Sequence, residues 1–178
     1  MQGRADLSLS PAGRAQVLRW RLPEAWAHAR WLSSPLRRAT ETAALLTDRP
    51  VDIEPRLIEM DWGAFEGRSL AELRAEAPAA MAANEARGLD FCPPGGESPR
   101  EVCARLQALF ADLATEPGAG DAAWVVCVTH KGVVRAALSL ATGWDMISKP
   151  PLRLTGDTAL ILHADAAGRI RPAGSVTL

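Results

Sequence analysis

The sequence predicts an α/β sandwich of three layers around a mostly parallel sheet, and three observations carry that prediction. Strand-like apolar runs alternate with helical segments long enough to serve as crossovers. The run from Ala123 to Thr129 is almost unbroken in apolar residues, as in a strand covered on both faces. Capping pairs also recur just ahead of the segments with helical periodicity.

Taken in chain order, Ser10 and Pro11 form an N-cap and first-turn pair, so a helix is expected from Pro11 to about Leu22, stopped by Pro23. Ala29 to Ser33 reads as a short strand. Ser34-Pro35 repeats the cap signal and opens a helix through about Leu46, with Leu36, Ala39, Ala43 and Leu46 as its apolar stripe. Val51 to Leu57 alternates in part and suits a strand despite Pro55, and Glu59 to Arg68 has the composition of a loop. A helix follows from Ser69 through Glu76, with more helix after Pro78. Cys92 to Gly96 is a rigid-then-flexible break, after which Ser98 and Glu101 have capping-box spacing and start a helix to about Thr115. Beyond the Ala123 strand comes a helix over Val133 to Leu140, with Gly143 as its C-cap. Thr158 to His163 and Arg169 to Ala173, separated by Asp165-Ala166-Ala167-Gly168, read as a terminal hairpin. No repeat or linker divides the sequence, so residues 1–178 read as one domain.

Composition narrows the function classes. Apolar residues make up 48% and charged residues 23% of 178 positions, a globular balance with enough chain for a real core. The formal net charge of -1 supplies no field for nucleic acid or an anionic membrane, so any anion site has to be local. Cys92, Cys103 and Cys127 have no metal-ligand spacing, and a reducing cytoplasm is the expected compartment. No run reaches the roughly 18 apolar residues of a membrane span, and Met1 to Asp6 lacks an apolar secretory core. The oligomeric state is left open.

Sheets of this kind place ligands beyond the carboxyl ends of their strands. Ser34 with Arg38, Glu59, Glu97 and His130 all fall just after presumed strands or at a glycine turn. Arg38, early in its helix, can grip two phosphoryl oxygens through a planar fork, although a surface arginine reads equally well. Glu59, ahead of Trp62 and Phe65, has a setting in which desolvation raises a carboxyl pKa toward general-acid range. Its bland counterpart is a surface glutamate. Glu66 is read as holding the loop, and Glu97 as bracing an arginine or capping a helix. His130, after the buried strand and before Gly132 at a helix mouth, is placed to donate to an anion. His28 and His163 lack such a setting. The histidines form no metal-ligand pattern, and neither a Gly-x-Ser-x-Gly elbow nor a Gly-rich phosphate loop is present, so no metal and no cofactor is expected.

Four segments in order resemble the histidine phosphatase superfamily, the phosphoglycerate mutase-like group. They are Ser34-Pro35-Leu36-Arg37-Arg38-Ala39 with Thr42, Leu57 to Gly67, Pro94 to Ser98, and Val128 to Arg135. Gln2-Gly3-Arg4 with Asp6, Leu9, Ser10, Gly13 and Gln16 resembles the stretch that follows the family's Arg-His-Gly strand, and no Arg-His-Gly occurs in this sequence. The resemblance implies a phosphomonoesterase fold whose first strand and nucleophilic histidine are missing. By the same resemblance Arg38 is a phosphate arginine, His130 a phosphate-contacting histidine and Glu59 the proton donor, with Gly3 and Arg4 in the loop near the pocket and Arg4 touching substrate. The implied partner is a small phosphorylated metabolite. It further implies a complete product that extends upstream of Met1, or else a fragment or pseudoenzyme, or a chain that uses water activated by Glu59. As it stands the chain is expected to be inactive or weakly active, with a non-catalytic phosphate-ligand or protein-binding module as the alternative.

Overall fold

The structure is a computed structural model that describes residues 1–116 and 124–178. Its centre is a parallel three-stranded sheet in the order β2-β1-β3, formed by β1 (Arg30–Ser33), β2 (Val51–Ile53) and β3 (Val125–Val128). Ala123, where the apolar run begins, lies outside the described residues. A hairpin of β4 (Thr158–Ala164) and β5 (Ile170–Thr177) pairs antiparallel as a separate two-stranded sheet.

Side chains alternate across these strands and divide the interior into two cores. On one face Leu32 and Cys127 meet α5 (Pro99–Thr115) and α6 (Lys131–Thr142) through Val102, Leu106, Leu109, Val133 and Ala136. On the other, Trp31, Val126 and Val128 meet Trp26 and Leu46, the last residue of α2 (Arg37–Leu46). Helices thus cover both faces of the parallel sheet, which makes three layers. α1 (Pro11–Val17), α3 (Leu70–Glu76) and α4 (Pro78–Glu85) complete the helices, and among the described residues no strand precedes α1.

Local chemistry explains most boundaries. Ser10 caps α1 by accepting from the Gly13 N–H at 3.1 Å. The helix nevertheless ends at Val17, short of Leu22, because Arg19 and Trp20 turn back onto Gln16 and Val17 and Arg21 donates to the freed Arg19 and Trp20 carbonyls. β2 stops at Ile53, and Pro55, which has no N–H to give a ladder, opens a short 3₁₀ turn to Leu57. α5 begins at a full capping box: Ser98 Oγ accepts from Glu101 N–H while the Glu101 carboxylate accepts from Ser98 N–H at 2.7 Å. Ser98→Ala is expected to destabilise the fold by about 1 kcal/mol, read as a lower urea midpoint with unchanged slope. α6 ends at Gly143 in the left-handed conformation, φ 73°.

Because β1, β2 and β3 run the same way, their carboxyl ends emerge on one side of the sheet. Ser34 follows β1, the Pro55–Leu57 turn and Glu59 follow β2, and Thr129 and His130 follow β3. Thr129 Oγ1 donates to the Leu57 carbonyl at 2.7 Å and ties the second of these ends to the third.

Candidate active site

Ser34 ends the strand region instead of capping a helix. Its N–H continues the ladder to the Val128 carbonyl at 2.9 Å, and α2 starts three residues later at Arg37 with Leu36 in the cap position. The fully buried hydroxyl lies 2.7 Å from His130 Nε2 and accepts from the Leu36 N–H at 3.3 Å. His130 occupies the N-cap position of α6 without capping it through its side chain. Burial first, then the positive charges of Arg38 and Arg105, lower its pKa to about 3. The ring is therefore neutral near pH 7 and carries a single N–H.

Glu59 is 7% exposed, and burial raises its carboxyl pKa against the opposing pull of two backbone donors and of Arg38 and Arg105. Those donors are Met60 N–H at 2.8 Å and Gly132 N–H at 3.2 Å. Gly132 permits this contact only by lacking a side chain, since a Cβ there would collide with the Glu59 carboxylate. The acid is thereby fastened to the turn that carries His130. In the loop that follows Glu59, Trp62 and Phe65 both pack on Phe91, at 5.9 and 6.5 Å.

Arg38 is the second residue of α2. Its two terminal nitrogens donate to the carbonyls of Gly3 and Ala5 at 2.7 and 2.8 Å. Two of five guanidinium N–H groups are thus engaged, and three stay available for an anion. The N-terminal loop is held from its other side by Glu66, whose carboxylate accepts from Gly3 N–H at 2.9 Å and Arg4 N–H at 2.8 Å. A Cβ on Gly3 would meet that carboxylate and the Met60 carbonyl. The Arg4 side chain reaches Asp61 at 3.7 Å and Glu97 at 3.6 Å on the exposed rim.

Glu97 pairs in a fork with Arg105 of α5, at 2.8 and 3.2 Å, and Arg105 also donates to the Arg56 carbonyl just ahead of Glu59. Sequence reasoning passed over Arg105. The available signal was its place beside Val102, Leu106 and Leu109 on the buried stripe of α5, where an arginine requires a partner. The structure therefore gathers Ser34, Arg38, Glu59, Arg105, His130 and Gly132 at one end of the sheet, with Arg4, Glu66 and Glu97 on the loop beside it. Exposed His28 precedes β1 and so lies at the opposite end, while His163 is exposed on β4. Among the described residues no cluster of three or more metal-ligating side chains occurs, and no helix is long and apolar enough to cross a membrane.

Residues 1–168 match the family model described as histidine phosphatase superfamily (branch 1). A glucosyl-3-phosphoglycerate phosphatase of Mycolicibacterium vanbaalenii is 35% identical over 189 residues, covering 98% of this chain and 79% of that protein. The Mycobacterium tuberculosis protein of the same name is 39% identical over 155 residues, which span 79% of this chain and 66% of that protein's length. The native structure of a mycobacterial glucosyl-3-phosphoglycerate phosphatase superposes with a TM-score of 0.75 at 32% identity, covering 100% of this chain and 89% of that one. Its complex with inorganic phosphate gives 0.76 at 31% identity with the same coverage. Matched by the family model over most of its length, the chain belongs to the histidine phosphatase superfamily, branch 1.

Proposed function

We propose that Arg38, Glu59 and His130 hold the phosphoryl group of a small phosphorylated metabolite, in a site built for hydrolysis of a phosphate monoester. The observation that carries this reading is the Glu59 carboxyl, buried and raised in pKa, clasped to the turn of a neutral His130 within the field of Arg38. A protonated Glu59 can give its proton to the departing ester oxygen and later take one from water. The free N–H groups of Arg38, with the imidazole N–H, can hold the equatorial oxygens as charge develops on them. Arg4 on the rim is suited to meet the rest of the substrate, and the names of the relatives point to a phosphoglycerate ester as that substrate's class.

Covalent transfer to histidine needs an imidazole aimed at the phosphorus. His130 is engaged with Ser34, while His28 and His163 lie elsewhere. The 178-residue chain is therefore expected to bind phosphate esters and to turn them over slowly. Titrating the purified chain with 3-phosphoglycerate and with inorganic phosphate, alongside a phosphate-release assay, tests both halves. Arg38→Ala should weaken binding about tenfold or more. Unchanged affinity in that variant removes the clamp, and fast turnover that His130→Ala abolishes removes the claim of slow chemistry. A non-catalytic phosphate-ligand or protein-binding module is the second reading. It is favoured by the Arg38 fork being partly committed to the Gly3 and Ala5 carbonyls.

A further inference from the structure

The contact between Ser34 and His130 can be counted proton by proton. The Ser34 hydroxyl is wholly buried and has two neighbours: the Leu36 N–H donates to Oγ at 3.3 Å, and His130 Nε2 lies 2.7 Å away. A hydroxyl carries one proton and two acceptor positions. If an Nε2–H donated to Oγ, the Ser34 proton would be enclosed with no acceptor among the described residues, a costly arrangement. If instead the Ser34 O–H donates to Nε2, every group in the contact is satisfied. The serine is held for this task on both sides. Its N–H donates to the Val128 carbonyl at 2.9 Å, and its own carbonyl accepts from Ser33 Oγ at 3.0 Å.

The other ring nitrogen gives an independent count. Nδ1 makes no hydrogen bond among the described residues, and His130 does not cap α6 through its side chain. The nearby Gly132 N–H is taken by Glu59 at 3.2 Å, so the protein offers no donor to a bare Nδ1. Among the described residues the only side-chain polar atoms buried without a partner are the Trp20 and Trp31 indole nitrogens. Nδ1 is therefore open to the cavity that Arg38 and His130 both line.

We propose that Ser34 is a positioning residue of this site: its hydroxyl donates to Nε2, fixes His130 as the Nδ1–H tautomer and leaves that N–H facing the anion. Which ring nitrogen carries the proton is set by the bond the other makes, and the ring's pKa near 3 keeps it in one neutral form at pH 7. With Nδ1 protonated and the Nε2 lone pair taken by Ser34, the imidazole has a donor to offer and no free lone pair. It can hold a phosphoryl group but not accept one. The tautomer follows from the contact alone, whereas its use on an anion rests on the proposed phosphate site.

The test is a nitrogen-15 NMR spectrum of the histidine rings in the 178-residue chain at pH 7, with the His130 signals assigned by their loss in His130→Gln. His130 is expected to show a protonated Nδ1 and a bare Nε2, while exposed His28 and His163 show tautomer-averaged shifts. In Ser34→Ala the His130 shifts should move toward those averaged values. Binding of inorganic phosphate should weaken about threefold or more in that variant, because only the fraction of rings in the Nδ1–H form is competent. A protonated Nε2 in the wild-type chain overturns the proposal, even if Ser34→Ala does not fold. An unmoved His130 tautomer in a folded Ser34→Ala protein also overturns it. A changed tautomer with unchanged phosphate affinity overturns the role assigned to the N–H. If the wild-type chain binds no phosphate, the phosphate reading fails, and the ring spectra still decide whether Ser34 sets the tautomer.

Discussion

Replacing Arg105 with alanine is expected to destabilise the fold by about 3 kcal/mol, near the lower end of the range for breaking a buried ion pair. The pair is well enclosed, with side-chain exposures of 15% for Arg105 and 13% for Glu97, and its geometry is a two-point fork. Removing the arginine leaves the enclosed Glu97 carboxylate with no cation nearer than the rim side chain of Arg4 at 3.6 Å, and frees the Arg56 carbonyl that the guanidinium also holds. It withdraws in addition one of the two positive charges that depress the proton affinity of His130 and oppose the rise at Glu59. Both site residues should therefore take up protons at higher pH in the variant. Urea unfolding measures the stability loss, and NMR titration of the His130 ring measures the shift. Combining Arg105→Met with Glu97→Gln should recover most of the stability, because no buried charge is then left alone. If the single and double variants are equally unstable, Arg105 acts through packing and not through the pair.

Arg105 also marks the limit of what the sequence discloses. Signals within a few residues of one another were legible: the Ser98 and Glu101 box, the Gly143 cap, the terminal hairpin, and strand β3 followed by the His130 turn. Each is decided by local hydrogen bonds or by side-chain period. The parallel sheet was legible for the same reason, since helices long enough to cross over separate its strands. Signals that depend on distant partners were misread or missed. Ser34-Pro35 has the spelling of a cap, but Ser34 is claimed by Val128 and His130, nearly a hundred residues away, and the helix waits until Arg37. The α1 periodicity continues past Val17 in the sequence, but there a competing set of local bonds, from Arg19, Trp20 and Arg21 to nearby carbonyls, ends the helix. The separation of β4 and β5 from the parallel sheet has no local sequence mark at all.

The other large effect is on pH dependence. The folded protein is expected to lose about 2 kcal/mol of stability through His130 between pH 7 and pH 5. An unfolded histidine takes a proton near 6.5, whereas the folded ring resists protonation down to about 3. Across that window the unfolded chain binds more protons. The contribution is thus fully present above 6.5 and is lost progressively as pH falls toward 3. Glu59 acts in the opposite sense. Its folded carboxyl keeps a proton that the unfolded one releases near 4.5, so its contribution is present below 4.5 and is lost as pH rises through the raised value. The two partly offset each other in the wild-type protein, and total stability alone does not separate them. His130→Gln does, since an amide cannot titrate but can still reach the Ser34 hydroxyl. The wild-type protein should weaken on acidification from pH 7 to pH 5, while the variant, left with Glu59, should hold level or gain. Unfolding midpoints at the two pH values for both proteins make the comparison. Parallel loss in the two would mean that His130 is already charged in the native state. The neutral ring on which the proposed anion site depends would then not exist.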